Sequence, residues 1–145
     1  MYLADLQGWV LGMCRVAARA DRSTVGLIDA LFGRGGSAAS LDHWYSTGPH
    51  ASFRRELQLS DDAMQIMLLA AAPYLWGALT HVYAAIKAPT NCLIGMQLLV
   101  ELHGDRDAVA RELGRESPLV RHGLVKIYPT GAIVASSSVI ARLAS

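Results

Sequence analysis

With 145 residues, 52% of them hydrophobic and only 17% charged, the chain has ample material for a folded core and is unlike a disordered segment. A net charge of +1 excludes an overall attraction to nucleic acid or to an anionic membrane surface. The length fits one domain, or one small domain carrying a helical extension.

In chain order, Leu3, Leu6, Val10, Met13, Cys14 and Ala17 fall at helical spacing and predict an amphipathic helix over 2–20. Asp21 or Ser23 caps a second helix that runs to Phe32 and stops at Gly33. The stretch 33–40 (Gly-Arg-Gly-Gly-Ser-Ala-Ala-Ser) predicts a flexible loop, with a boundary between Gly33 and Pro49. It has neither the lysine nor the spacing of a phosphate loop. Ser60, followed by Asp61 and Asp62, opens a helix predicted to reach Ala72, and Pro73 is expected to start the next one, to Lys87. A further helix is predicted from Pro89-Thr90 to His103-Gly104, and a short one from Asp105 or Asp107 to Leu113. Ser117 with Pro118 caps a last helical turn that Gly123 ends.

From Leu124 the pattern changes. Leu124–Tyr128 and Ala132–Ala135 are short and β-branched, and Pro129-Thr130-Gly131 between them predicts a hairpin turn. Ser136–Ser138 reads as the solvated end of the second strand, before an apolar pattern resumes at Val139, Ile140 and Leu143. Helices followed by a hairpin have the outline of a winged helix. The expected fold is therefore mostly α, a helical domain with a C-terminal β-hairpin, winged-helix-like. Residues 1–50 form an N-terminal helical extension and loop, and 51–145 the winged-helix-like domain.

The segment Ala63–Ile86 carries no formal charge and is long enough to span a bilayer, but Gln65, Pro73, Gly77, Thr80 and His81 interrupt it. Two core helices are the expectation, with no membrane insertion. Cys14 and Cys92 lie in apolar helical patterns, which suits buried free thiols and a cytoplasmic location. The N-terminus lacks the pattern of a signal peptide.

The five histidines (His43, His50, His81, His103, His122) show no metal-ligand spacing, and no serine sits in a nucleophile elbow. No catalytic, cofactor or metal residue is assigned, and an enzyme is not expected. Phosphate contacts by a helix-turn-helix need lysine and arginine. The second helix of the candidate pair, Asp105 to Leu113, carries three acids against two bases, and residues 60–145 hold seven bases and seven acids. Such a balance gives no counterion-release drive. A DNA-binding regulator using Arg106, Arg111, Arg115 and Lys126 is the alternative reading. The tryptophans and tyrosines point instead to a protein interface, with Trp76, Tyr83, Lys126 and Tyr128 as candidate positions.

From Leu57 onward the motifs run Leu59-Ser-Asp-Asp62, Met67-Leu-Leu-Ala-Ala-Ala-Pro73, Val82-Tyr-Ala-Ala-Ile86, Pro89-Thr90 opening Leu93-Ile-Gly-Met-Gln-Leu-Leu99, then Ser117-Pro-Leu-Val-Arg-His-Gly-Leu-Val125 with Val139-Ile140. In order and spacing this resembles the winged-helix-like region that precedes the ATPase core in a group of bacterial AAA+ ATPases. Some of these belong to contractile injection gene clusters. The resemblance covers about the last 85 residues. It departs at Tyr74, where an acid is expected, and there is no Walker A, Walker B or arginine-finger segment. The resemblance implies an N-terminal fragment of such a protein, or a stand-alone relative. On that basis the chain is a non-catalytic recognition or assembly module that contacts a substrate, an adaptor or neighbouring ATPase subunits, with homo-oligomerisation a further expectation.

Overall fold

The computed structural model describes residues 2–18, 21–33, 41, 49–86 and 96–144. The predicted loop 34–40, His43, Trp44, Lys87, the Pro89-Thr90 helix start and Cys92 lie outside these residues. The described chain is mostly helical and ends in a two-stranded antiparallel hairpin followed by one more helix.

Helix α1 (Tyr2–Ala17) buries Leu6, Trp9, Val10 and Cys14 along one stripe, as the 3.6-residue period requires. Helix α2 (Arg22–Phe32) starts at Asp21, whose carboxylate accepts from the Ser23 and Thr24 amides and from the Thr24 hydroxyl. The Thr24 hydroxyl, and then these amides, hold that carboxyl below its usual range. Arg15 ties the two helices together, donating to Asp29 at 2.5 Å and to the Gly33 carbonyl at 3.0 Å.

Helix α3 (Pro49–Leu57), which the sequence reading does not predict, opens on a proline at its first position and carries Arg54 and Arg55 in its last turn. It stops at Gln58, which adopts φ +56°, while the Leu59 amide reaches back to the Arg54 carbonyl at 3.0 Å. A left-handed residue with a Cβ is strained, and the Gln58 side chain is exposed. Gln58→Gly is therefore expected to stabilise the protein by about 0.5–1 kcal/mol, read as a higher urea midpoint at unchanged m-value.

Helix α4 (Asp61–Leu75) is the axis of the fold. Ser60 caps it, accepting from the Ala63 amide at 3.1 Å, and from Ala63 to Ala72 every residue except Gln65 is buried. It is covered on all sides because α1, α6, α7 and β2 all pack against it, together with the last helix. This explains an uncharged stretch that has no polar face. Among the described residues no helix is long and apolar enough to cross a membrane.

The sequence predicts that α4 ends at Ala72, but the helix runs through Pro73 to Leu75 and breaks at 76–78. A proline in a helix leaves the carbonyl four residues earlier without its donor. Here that carbonyl belongs to Leu69, and the Tyr83 hydroxyl donates to it at 2.8 Å from inside the core. Tyr83 lies on α5 (Leu79–Ile86), which also buries Leu79 and Val82 and packs against α1 and α2. A long-range side-chain bond thus replaces the lost backbone bond and lets the helix continue.

Helices α6 (Met96–His103) and α7 (Arg106–Glu112) follow, α7 capped by Asp105 as predicted. Ser117 caps α8 (Pro118–Arg121), and its hydroxyl also donates to the Glu112 carbonyl. Strands β1 (Val125–Ile127) and β2 (Ile133–Ala135) pair Lys126 with Val134. The predicted turn forms with Pro129 preset for its corner and Gly131 at φ +91°. The Gly131 amide donates to the Tyr128 carbonyl at 2.8 Å. Ser136–Ser138 is not the end of a strand. Ser136 caps a ninth described helix, α9 (Ser137–Ala144), accepting from the Val139 amide at 3.3 Å. Val139 and Leu143 then fall on its buried face against α4.

Leu6, Val10, Cys14 and Ile28 share one hydrophobic cluster with the residues of α4 to α9. The expected 1–50 extension therefore contributes to the core of 51–145, and α3 spans the boundary between the two. Cys14 sits in this core, where burial pushes its thiol up to about 12 against a smaller opposing effect of Arg15. Burial, reinforced by nearby Cys14, also raises the Tyr83 phenol well above its usual range. Both groups are held neutral in the fold, while the unfolded chain releases their protons from about pH 8.5 and about pH 10. Their contribution is complete below the unfolded values and is lost as pH rises toward the folded ones. The urea midpoint is expected to be level to about pH 8 and to fall above about pH 9, with a shallower fall in Cys14→Ala.

Candidate functional site

Two groups of polar or exposed side chains stand out, at the base of α4 and on the hairpin. At the base, Ser60 donates to Glu112 at 3.1 Å, and Arg111 donates to Asp62 at 3.0 Å and to Glu112 at 3.4 Å. His103 Nε2 lies 3.1 Å from Asp62 Oδ1. Its Nδ1 is buried without a hydrogen-bond partner among the described residues. The Ser60 hydroxyl is engaged by a carboxylate and by the cap of α4, so serine and histidine are not paired as nucleophile and base. These bonds fasten the start of α4 to α6 and α7. Among the described residues no three His, Cys, Asp or Glu side chains gather as metal ligands.

The hairpin is different. Alternation along its strands sends Val125, Ile133 and Ala135 into the core, and Lys126, Tyr128 and Val134 to the outer face. The Lys126 ammonium sits 5.2 Å from the centre of the Tyr128 ring, a surface cation–π contact worth about 0.5–1 kcal/mol that orders both side chains. A basin of about 450 Å³ lies on this face, bounded by Tyr74, Lys126, Tyr128, Val134, Ser136 and Ile140. Tyr74 is 56% exposed and Tyr128 42%. Tyr74 reaches the hairpin only because α4 continues past Pro73. A second groove, of about 620 Å³, runs along the other side of β1 and includes Leu113, Arg115, Val120 and Ile127, with Lys126 on the ridge between the two. Ile127 is 44% exposed, beyond the end of the core that covers Val125.

Of the four predicted interface positions, the hairpin brings together Lys126 and Tyr128. Trp76 is half-buried, packs on the core at the end of α4 and lines neither groove. Tyr83 is corrected to a core residue: it is 3% exposed, and its one polar atom is committed to Leu69. Sequence reasoning missed Ile127 and Ile140, and counted Tyr74 among the surplus aromatics without placing it among the four positions. Tyr74 carried a signal, since it stands where the resemblance leads to an acid.

The alternative DNA surface is divided. Arg111 is paired with Asp62 and Glu112, Arg115 belongs to the β1 groove, and Arg106 lies between Asp105 and Asp107. Surface pairs of this kind are each worth at most about 1 kcal/mol, yet they offset the charge a phosphate would meet.

No protein-family model, curated protein or solved structure matches the chain.

Proposed function

We infer that this chain is a non-catalytic recognition module that docks a protein partner on its hairpin, as the N-terminal part of a AAA+ ATPase or as a stand-alone relative of that region. The observation that carries this reading is the outer face of the hairpin. There Tyr74 and Tyr128 are exposed around Lys126, Ile127 is exposed at the end of β1 on the opposite side, and a groove lies on either side. Aromatic side chains held in the open are the type enriched at interfaces, and a lysine beside them suits the polar rim of such a patch. The ATPase placement rests on the motif order from Leu59 to Ile140 in the sequence.

Photo-cross-linking in the native cell tests the docking role. A benzophenone side chain placed at position 74 or 128 is expected to give one discrete protein adduct, and none from position 30 on the exposed side of α2. Equal adducts from all three positions, or none, contradict it. Tight binding of a random duplex with a steep salt slope would move the reading to the nucleic-acid alternative.

A further inference from the structure

We propose that the basin between Tyr74, Tyr128 and α9 seats a bulky apolar side chain of the partner protein whose neighbouring residues are acidic, which rests on the docking role inferred above. The contact is made by side chains. Tyr74 and Tyr128, both exposed, bound the basin, and Val134 and Ile140 add aliphatic surface. At about 450 Å³ it has room for one large side chain and part of its neighbours. Burying such an anchor against two aromatic rings supplies the affinity, as buried aromatic and aliphatic contacts do at the centre of an interface.

Charge selects what flanks the anchor. From Ser117 to Ala144 the chain carries Arg121, Lys126 and Arg142 and no aspartate or glutamate. Among the described residues Lys126 is the one charged side chain lining the basin, and the groove across the ridge adds Arg115. Glu116 follows Arg115 in sequence but lines neither hollow. Asp61 and Asp62 stand at the other end of α4, about 20 Å from Tyr74 at 1.5 Å per residue. That is well beyond the screening length of about 8 Å at physiological ionic strength, so these acids leave the potential at the basin positive. Acidic residues beside the anchor meet that potential, which sets specificity and on-rate more than affinity. A nucleic-acid strand needs a row of cations along its phosphates, and the basin offers one.

The probe is a blocked hexapeptide, Glu-Asp-Phe-Leu-Asp-Glu, titrated into the full chain and followed by NMR. Shifts are expected in the Tyr74 and Tyr128 rings and at Lys126, Val134 and Ile140, with α2 unchanged. Replacing Phe-Leu by Ser-Ser, or all four acids by lysine, should each weaken binding at least about tenfold. Tyr74→Ala should do the same, and its side chain is exposed, so unchanged signals in α1 verify that the fold survives. Lys126→Glu should weaken the acidic peptide at least about fivefold and strengthen the lysine peptide, a reversal that a merely structural role would not produce. Absence of binding, equal binding of the serine or lysine peptide, or shifts that avoid the hairpin overturn the proposal. So does an oligothymidine or an anionic phosphatidylserine vesicle that displaces the peptide and shifts the same signals. Cross-links from positions 74 and 128 alongside a negative peptide result would remove the acid-flanked anchor alone. Their absence would remove the docking role itself.

Discussion

Tyr83→Phe is expected to lower the unfolding free energy by about 1–3 kcal/mol, the cost of leaving the buried Leu69 carbonyl without a donor. The phenylalanine ring keeps the packing of α5 against α1 and α2, so the loss isolates one hydrogen bond. Pro73 is the reason the bond matters, since it removes the amide that would otherwise serve Leu69. In a Pro73→Ala background the amide of residue 73 can take that role, and Tyr83→Phe should then cost less by at least about 1 kcal/mol. Urea unfolding of the four proteins gives the coupling directly. Additive effects would mean that the hydroxyl and the proline act independently, and that the continuation of α4 has another cause. The bond also bears on the surface, because the last turn of α4 carries Tyr74 to the hairpin.

Leu6→Ala should cost about 2–5 kcal/mol, the usual range for deleting a fully buried leucine side chain. Leu6 is 1% exposed, in the first turns of α1, and its cluster includes Met64, Met67, Leu99 and Val109. A cavity there is felt by α4, α5 and α6, which pack against α1. Far-UV circular dichroism and tryptophan fluorescence should therefore report one shared transition moved to lower urea. A small early step followed by an unchanged main transition would mean that α1 unfolds independently of the rest.

The parts of this structure that could be read from the sequence are those whose cause is local. Asp21, Ser60, Asp105 and Ser117 each cap a helix by accepting a backbone amide within three residues, and Pro129-Thr130-Gly131 bends the chain by its own backbone preferences. Helix α9 was equally local, yet three consecutive serines after a strand looked like its frayed end. The helical spacing of Val139, Ile140 and Leu143 was the better guide. The end of α4 could not be read locally, because the group that allows it lies 14 residues away on α5.

The candidate site was legible in part for the same reason. Lys126 and Tyr128 follow from strand alternation and a turn. Tyr83 was misplaced because the period of a short apolar helix such as α5 does not say which of its residues meets the core. Ile127 is an apolar residue that sequence patterns assign to the interior, and only the outline of the packed core leaves it outside; Tyr74 belonged to an aromatic surplus whose exposed members the sequence could not single out.

Hydrogen exchange of the chain, free and bound to the protein cross-linked from positions 74 and 128, tests the docking role most directly. The account predicts new protection at 124–136 and at the last turn of α4, with 2–33 unchanged. Protection confined to 2–33, or to α7 and α8 with the hairpin unaffected, would contradict it.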